Sequence, residues 1–394
     1  MIKEVEIIMY YDNKTPKWIS PTVCVTHACQ LNCVYCYETK KDTHSRLEYD
    51  KAIEIIDKIF ATAAEDVDGI EVCFIGGEPL LEYDLIKRIV GHYNQPEYKP
   101  SKQFIFSATT NGALLNAEMK EWFQANKDKI ILCLSLDGAK ETQDHNRPNS
   151  FDKIDFDFFV RNYPNQGVKM TLSDFSLPRL SDNVFYIHSL GFKKITGVNL
   201  YEGDFDFGDE KYISILVPEL KKLVDFYSKP ENADLYNQMF DKRLELAQSK
   251  SRRHRKNCGI GSQAVTFYDV DGQTYPCVMC TPMTMSEEQL SVLKGTDFLD
   301  DSIFADHSCN ESCYIYPICS NCSGSNFRIN NCFNIRDYSK CKIKKLEALF
   351  CAELMARKIA ANPKVCENDT VLYHTIQAIK EIKRRYYPVF SKYM

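Results

Sequence analysis

Cys29-Gln30-Leu31-Asn32-Cys33-Val34-Tyr35-Cys36 puts three thiols within one short loop, directly after Ser20–Val25, an apolar run that reads as a β-strand. Three thiolates on such a loop can hold three irons of a four-iron cluster and leave the fourth iron open to an external ligand. A closed structural zinc site takes four ligands, and no fourth stands nearby in the sequence. On spacing alone a zinc reading therefore stays open but weaker. The next apolar run, Gly69–Ile75, ends in Gly76-Gly77-Glu78-Pro79. Two glycines there permit close backbone approach to a ligand, and a carboxylate can pair with an ammonium.

Outward from this pair the pattern repeats. Apolar positions at Ile53, Ile56, Ile59 and Phe60 mark a helix over Asp50–Ala64. Further strands are expected at Phe104–Thr109, Ile130–Leu136, Val168–Leu172 and Ile195–Leu200. The intervening helices are Glu82–Tyr93, Ala117–Lys127, Asp152–Tyr163, Ser181–Leu190 and Tyr212–Ser228. Six strands, each followed by a helix, predict a parallel α/β sheet, open or closed into a barrel. After residue 250 the texture changes. Ser251–Lys256 is a basic run that reads as a solvated linker, Cys258–Cys341 is cysteine-rich, and Lys342–Ala361 and Thr370–Tyr387 read as closing helices.

Composition narrows the class. The 394 residues carry a net charge of −5, which argues against a nucleic-acid partner. Apolar residues are 44% and charged residues 26%, as in ordinary globular proteins, and no apolar run is long enough to cross a bilayer. Met1–Ile8 is interrupted by charges and does not read as a signal peptide, so a cytoplasmic location is expected. The outlier is cysteine, at 17. In a reducing compartment, clustered cysteines bind metal or do chemistry more often than they pair. Eleven of the 17 are grouped, and Cys24, Cys73, Cys133, Cys332, Cys351 and Cys366 are scattered.

With its aromatic Tyr35 just before the last cysteine, the loop resembles that of the radical S-adenosylmethionine (SAM) enzymes. Gly76-Gly77-Glu78-Pro79 matches the motif by which that family binds the SAM amino group. Thr110-Asn111-Gly112 and Ser135-Leu136-Asp137-Gly138 fall at strand ends, where similar enzymes contact SAM. The resemblance implies a partial (β/α)6 TIM-like barrel and SAM contacts from Tyr35, Gly76, Gly77, Glu78, Asn111, Ser135 and, more weakly, Ser173. Asp144-His145-Asn146-Arg147 resembles another family element, with Arg147 in a supporting role.

The later cysteines resemble the SPASM extension of peptide-modifying radical SAM enzymes, which carries two auxiliary clusters. Cys258, 13 residues, Gly272, four residues and Cys277 fit its first part. Cys309-x3-Cys313-x5-Cys319-x2-Cys322 inverts the usual outer gaps. The resemblance then implies one auxiliary cluster on Cys258, Cys277 and Cys322, with Cys280 as a fourth ligand. It implies a second on Cys309, Cys313, Cys319 and Cys341, with Cys332 as the rival for the last place. Zinc remains an alternative for this region.

The implied layout is a strand extension at 1–19, a radical SAM barrel at 20–235, a linker at 236–257, a SPASM domain at 258–345 and helices at 346–394. The implied cofactors are SAM and three 4Fe-4S clusters on Cys29, Cys33, Cys36 and the eight later cysteines. The implied chemistry is reductive cleavage of SAM to a 5′-deoxyadenosyl radical, which abstracts hydrogen from the substrate. The expected substrate is a ribosomally made precursor peptide, oxidatively cross-linked by a thioether or C–C bond, with a flavodoxin or ferredoxin as reductant.

A sulfatase-maturase-like activity ranks second. Enzymes of that kind place an Asp immediately after the G-x4-C cysteine, where this chain has Val278, and Asp271 could substitute only with a different loop geometry. A non-catalytic iron–sulfur or zinc scaffold ranks third, because it leaves Gly76-Gly77-Glu78 unexplained. Only 28 residues precede Cys29, so a leader peptide is expected to dock on an existing strand edge or to be presented by a separate protein.

Overall fold

The computed structural model describes residues 17–98, 100–200, 209–250 and 258–394. Met1–Ile8 and the basic run Ser251–Lys256 lie outside these. In chain order come β1 (Trp18–Ile19), β2 (Thr22–Thr26), α1 (Tyr49–Thr62), β3 (Gly69–Gly76), α2 (Tyr83–Tyr93), β4 (Gln103–Thr110), α3 (Ala117–Ala125) and β5 (Ile130–Leu134). Then follow α4 (Lys140–Asn146), α5 (Phe156–Asn162), β6 (Val168–Leu172), α6 (Leu180–Ser189), β7 (Lys194–Leu200), α7 (Glu210–Tyr227) and β8 (Tyr236–Asn237). The C-terminal part holds β9 (Phe267–Tyr268), β10 (Thr274–Tyr275), α8 (Glu287–Lys294), α9 (His307–Ser312), α10 (Ser323–Asn330), α11 (Cys341–Ala361) and α12 (Asp369–Phe390).

β2, β3, β4 and β5 pair in parallel, and β1 adds in parallel to the start of β3. A parallel bridge from Ser135 to Lys169 carries the order on to β6, and β6, β7 and β8 are parallel again. At the other edge β9 pairs in parallel with β2, and β10 turns back antiparallel on β9. Among the described residues β8 and β10 do not meet, so the barrel is partial. This is the expected α/β class.

Alternation along the strands sets the core. Ile70, Val72 and Phe74 of β3 are fully buried, while Glu71, Cys73 and Ile75 on the other face are partly accessible. Phe74 stacks on Phe106 at 5.4 Å, and Tyr93 of α2 closes over Phe106 at 6.0 Å. Each such side chain contributes about 1.5–3 kcal/mol on burial.

Three features differ from expectation. The helix read over Asp152–Tyr163 starts only at Phe156, because the Asp155 carboxylate accepts from Phe158 N and caps it there. Residues 236–250, the first part of the expected linker, are packed: β8 extends the sheet, and Leu244, Leu246 and Ala247 are buried. The cysteine-rich region also has more order than its sequence texture implied. Its short helices surround an apolar cluster of Ile260, Cys280, Met285, Leu293, Phe304, Phe327 and Phe333. α11 and α12 pack on each other, and α11 also packs on α7, joining the main core.

Candidate active site

The cysteine loop leaves the C-terminal end of β2 and lies against the tip of β3. Gly77 N donates to Thr26 O at 3.1 Å and Glu78 N to Ala28 O at 2.9 Å. A Cβ on Gly76 would sit 2.3 Å from Thr26 O, and one on Gly77 2.3 Å from Ala28 O. The close approach these glycines allow is therefore to the loop that carries the thiols, and not only to a ligand.

Glu78, 1% exposed, ties the next strand to that tip. Its Oε1 accepts from Leu80 N (3.1 Å) and Thr110 Oγ1 (2.7 Å), and its Oε2 accepts from Asn111 N (2.8 Å). Burial raises this carboxyl, and the three donors oppose that shift. They use three of its roughly four acceptor positions, leaving one for a ligand cation. Gln30, inside the cysteine loop, donates through Nε2 to Asn111 Oδ1 at 3.1 Å and links the loop to β4.

Behind the loop stands Asp137, fully buried. It accepts from the Tyr35 hydroxyl, from Asn146 Nδ2 and Arg147 Nε at 3.2 Å each, and from Thr171 N at 2.9 Å. The Arg147 guanidinium lies 5.3 Å from the Tyr35 ring, and Val34 N donates to Asn146 O. Arg147 thus joins Asp137 and Tyr35 in one network. α4, polar in every position, is held in place by this network rather than by an apolar face.

On the loop's other flank, His27 bridges Asp269 through Nε2 (2.7 Å) and Asp42 through Nδ1 (3.1 Å), which pins the loop to the β9–β10 hairpin. The Cys24 sulfur, His27 Nε2 and an Asp269 oxygen lie within 4.8 Å of one another. Both imidazole nitrogens are already engaged by carboxylates, so this is an ion clasp, and hydrogen bonding to Asp269 is the main cause of the raised His27 pKa. Burial pushes the Cys33 thiol up to about 11. Lys41 is held protonated above its ordinary range: burial opposes this, but the neighbouring Cys36 and Cys29 outweigh it.

A cavity of about 850 Å³ opens beside the loop. Cys29, Cys33, Tyr35 and Cys36 line it, as do Gly76, Gly77, Glu78, Asn111 and Ser135 from the strand tips. Cys258, Cys309, Cys313, Cys319, Cys322 and Cys341 line it too. Three expected site residues, and the alternative acid Asp271, do not line it. The Ser173 hydroxyl donates to Asn146 Oδ1 at 2.8 Å, and the residue is buried in the turn after β6. Val278 and Met279 line the cavity, and Cys277 and Cys280 do not. Asp271 is exposed in the hairpin turn, where Gln273 N donates to it, and it does not reach the cavity.

The later cysteines form two sets. The Cys277 and Cys280 sulfurs share a hydrogen bond at 3.7 Å. That bond and burial raise Cys280, and Cys322 and Cys258 add to the shift. Cys309, Cys313 and Cys319 likewise act on one another. Cys341 joins them on the cavity wall, and Cys332 does not line it. Several of these residues sit at helix starts: Cys322 caps α10, accepting from Ser325 N at 3.5 Å, Cys341 is the first residue of α11, and Cys309 lies in the first turn of α9. Helix starts offer free N–H groups and positive potential to thiolates. The three-thiol loop fits an open iron–sulfur site, and the later cysteines offer the thiol donors that further sites would need.

Sequence reasoning missed Lys41, the hub role of Asp137 and the link through Gln30. A lysine five residues past Cys36 carries no spacing signal, and the Asp137 network joins segments 34 residues apart.

Comparison with known proteins gives a consistent picture. The profile of the Radical SAM superfamily matches residues 23–162. The cysteine-type anaerobic sulfatase-maturating enzyme of Clostridium perfringens (strain 13 / Type A) is 24% identical over 74% of this chain and 84% of its own. The solved structure of a histidine-tagged anSMEcpe with bound AdoMet superposes with a TM-score of 0.64 at 16% identity, covering 91% of this chain and 98% of that one. Streptococcus suis SuiB bound to precursor peptide SuiA gives 0.56 at 15% identity, covering 82% of this chain and 76% of that one.

Proposed function

Residues 23–162 are a radical SAM domain, and from that premise we propose that the chain is a peptide maturase that oxidatively cross-links a ribosomally made precursor peptide through a thioether or C–C bond. The observation that carries this reading is the shared cavity. The open three-cysteine loop, the SAM-motif strand tips and six of the later cysteines (Cys258, Cys309, Cys313, Cys319, Cys322 and Cys341) border one space of about 850 Å³, within the range that holds a sizeable ligand. SuiB, whose fold is similar, binds a precursor peptide.

In this reading Cys29, Cys33 and Cys36 hold the SAM-binding 4Fe-4S cluster. Tyr35, Gly76, Gly77, Glu78, Asn111 and Ser135 border SAM, and the two later sets hold two auxiliary clusters. When bound, these groups supply the 5′-deoxyadenosyl radical and the acceptor for the electron that an oxidation releases. The chain's own part is to orient and to exclude water. Glu78 presents its remaining acceptor position to the SAM ammonium. Asp137 and Arg147 fix Tyr35 and with it the loop. Lys41 and Arg147 offset the negative charge that three thiolates bring. The first electron comes from a reductant such as flavodoxin or ferredoxin. The cytoplasm is the proposed compartment, and among the described residues no helix is long and apolar enough to cross a membrane.

A second reading, formylglycine formation as in sulfatase maturation, is supported by the similarity to the Clostridium perfringens enzyme. It is opposed by Val278, which lines the cavity where that activity calls for an acid. The test is anaerobic incubation of the reconstituted chain with SAM, dithionite and the product of a neighbouring small open reading frame. Loss of two hydrogens from the peptide, with a new cross-link by tandem mass spectrometry, is expected. Conversion of a Cys or Ser to formylglycine would favour the second reading instead.

A further inference from the structure

Arg336 is 8% exposed, lines the same cavity as Cys309, Cys313, Cys319 and Cys341, and its Nη1 is buried without a hydrogen-bond partner. A buried guanidinium nitrogen with no acceptor is costly, so an acceptor is expected at that position. The neighbouring acids are committed elsewhere. Asp306 accepts from the backbone N of Arg336 (2.9 Å) and spends its other positions on Cys309 N, Ser308 and Tyr338. Asp337 pairs with Lys340. Beneath the guanidinium lies the Tyr316 ring, at 3.8 Å, which fixes its plane without taking its hydrogen bonds.

More positive charge surrounds the same set. Lys242, with a side chain 9% exposed, and Lys344 share the one carboxylate of Glu347 at 3.3 Å and 3.1 Å, which leaves an excess of one cation. Lys344 and Arg336 line the same cavity as Cys319. Low dielectric makes each of these charges count for more than it would in water.

We infer that Arg336 is a positioning residue for the second cysteine set: its Nη1 donates to the sulfur shell of the anionic cluster held by Cys309, Cys313, Cys319 and Cys341, and its charge, with the Lys242–Glu347–Lys344 group, raises that cluster's reduction potential. The inference rests on the three-cluster reading above. Hydrogen bonds to sulfur and nearby positive charge both stabilise the more negative, reduced state of such a centre. Adding one electron to this set is thereby favoured, with no proton required.

The test is a potentiometric titration followed by electron paramagnetic resonance, on the full chain reconstituted anaerobically. The signal of this set is the one that disappears in Cys319→Ala. In Arg336→Gln its midpoint is expected to fall with iron content unchanged, in Arg336→Lys to be largely restored, and in Lys344→Met to fall by less. Should Arg336→Gln lose the cluster, Arg336→Lys and Lys344→Met carry the same comparison. An intact signal at an unmoved midpoint in all three variants overturns the inference and leaves the three-cluster reading standing; Arg336 would then serve a substrate carboxylate or packing alone. If Cys319→Ala removes neither iron nor any signal, the three-cluster reading itself has failed, and the inference falls with it.

Discussion

Cys29, Cys33 and Cys36 stand on a loop that is held mainly by the barrel, whereas the eight later cysteines stand in a region whose own apolar cluster is seven residues. The loop is tied through Gly77 N and Glu78 N to the tip of β3, through Gln30 to β4, through Tyr35 and Val34 to Asp137 and α4, and through His27 to the β9–β10 hairpin. Behind those ties lies the large core beneath the strands of the barrel. In the C-terminal region Cys309, Cys322 and Cys341 sit at or near helix starts, and the proposed clusters would cross-link the segments that carry them. The difference teaches that similar cysteine spacings can be held by opposite means. On the proposed reading one site is preorganised for its group, and the other is organised by it.

The harshest way to break this contrast is to remove all eight later cysteines. Iron should drop by about eight per chain, and the C-terminal region should lose cooperative unfolding, because binding energy there is folding energy. Circular dichroism during thermal melting, with iron analysis, reads both. A variant that melts like the parent would show that the short helices hold themselves.

A smaller effect is expected from Asp137→Asn, which strands the buried Arg147 and weakens the seat of Tyr35. Breaking a buried ion pair costs about 3–5 kcal/mol, so the urea midpoint should fall while the C-terminal clusters keep their iron. An unchanged midpoint would place the stability of the loop elsewhere.

Much of this was legible in the sequence. Apolar runs such as Gly69–Ile75 are strands on both counts, since their alternation and their burial agree. The partition of Cys258, Cys277, Cys280 and Cys322 from Cys309, Cys313 and Cys319 is what the family resemblance implies. What was not legible depends on tertiary partners. Lys140–Asn146 has no apolar period, so only Asp137, far away in sequence terms from β6 and the loop it also binds, explains that helix. Residues 236–250 looked like linker because their few apolar residues are irregularly spaced, yet Leu244 and Ala247 are covered. Arg336 gave no signal at all: a lone arginine in a polar stretch reads as solvated until its burial is seen.

Ser173 gives the mildest test. Its position after β6 suggested a SAM contact, but its hydroxyl is spent on Asn146. Ser173→Ala should therefore cost about 1 kcal/mol of stability and leave SAM affinity in a binding titration where it was. A weakened affinity with unchanged stability would return Ser173 to the ligand site.

The central claim is that the three-cysteine loop, and not the later sets, carries the reductive chemistry. The direct measurement is 5′-deoxyadenosine release from SAM under dithionite by the reconstituted chain and by its Cys29→Ala/Cys33→Ala/Cys36→Ala variant, with iron counted in both. The account predicts about twelve irons in the parent and about eight in the variant, with release abolished in the variant and its fold intact. Continued release of 5′-deoxyadenosine by that variant would contradict it.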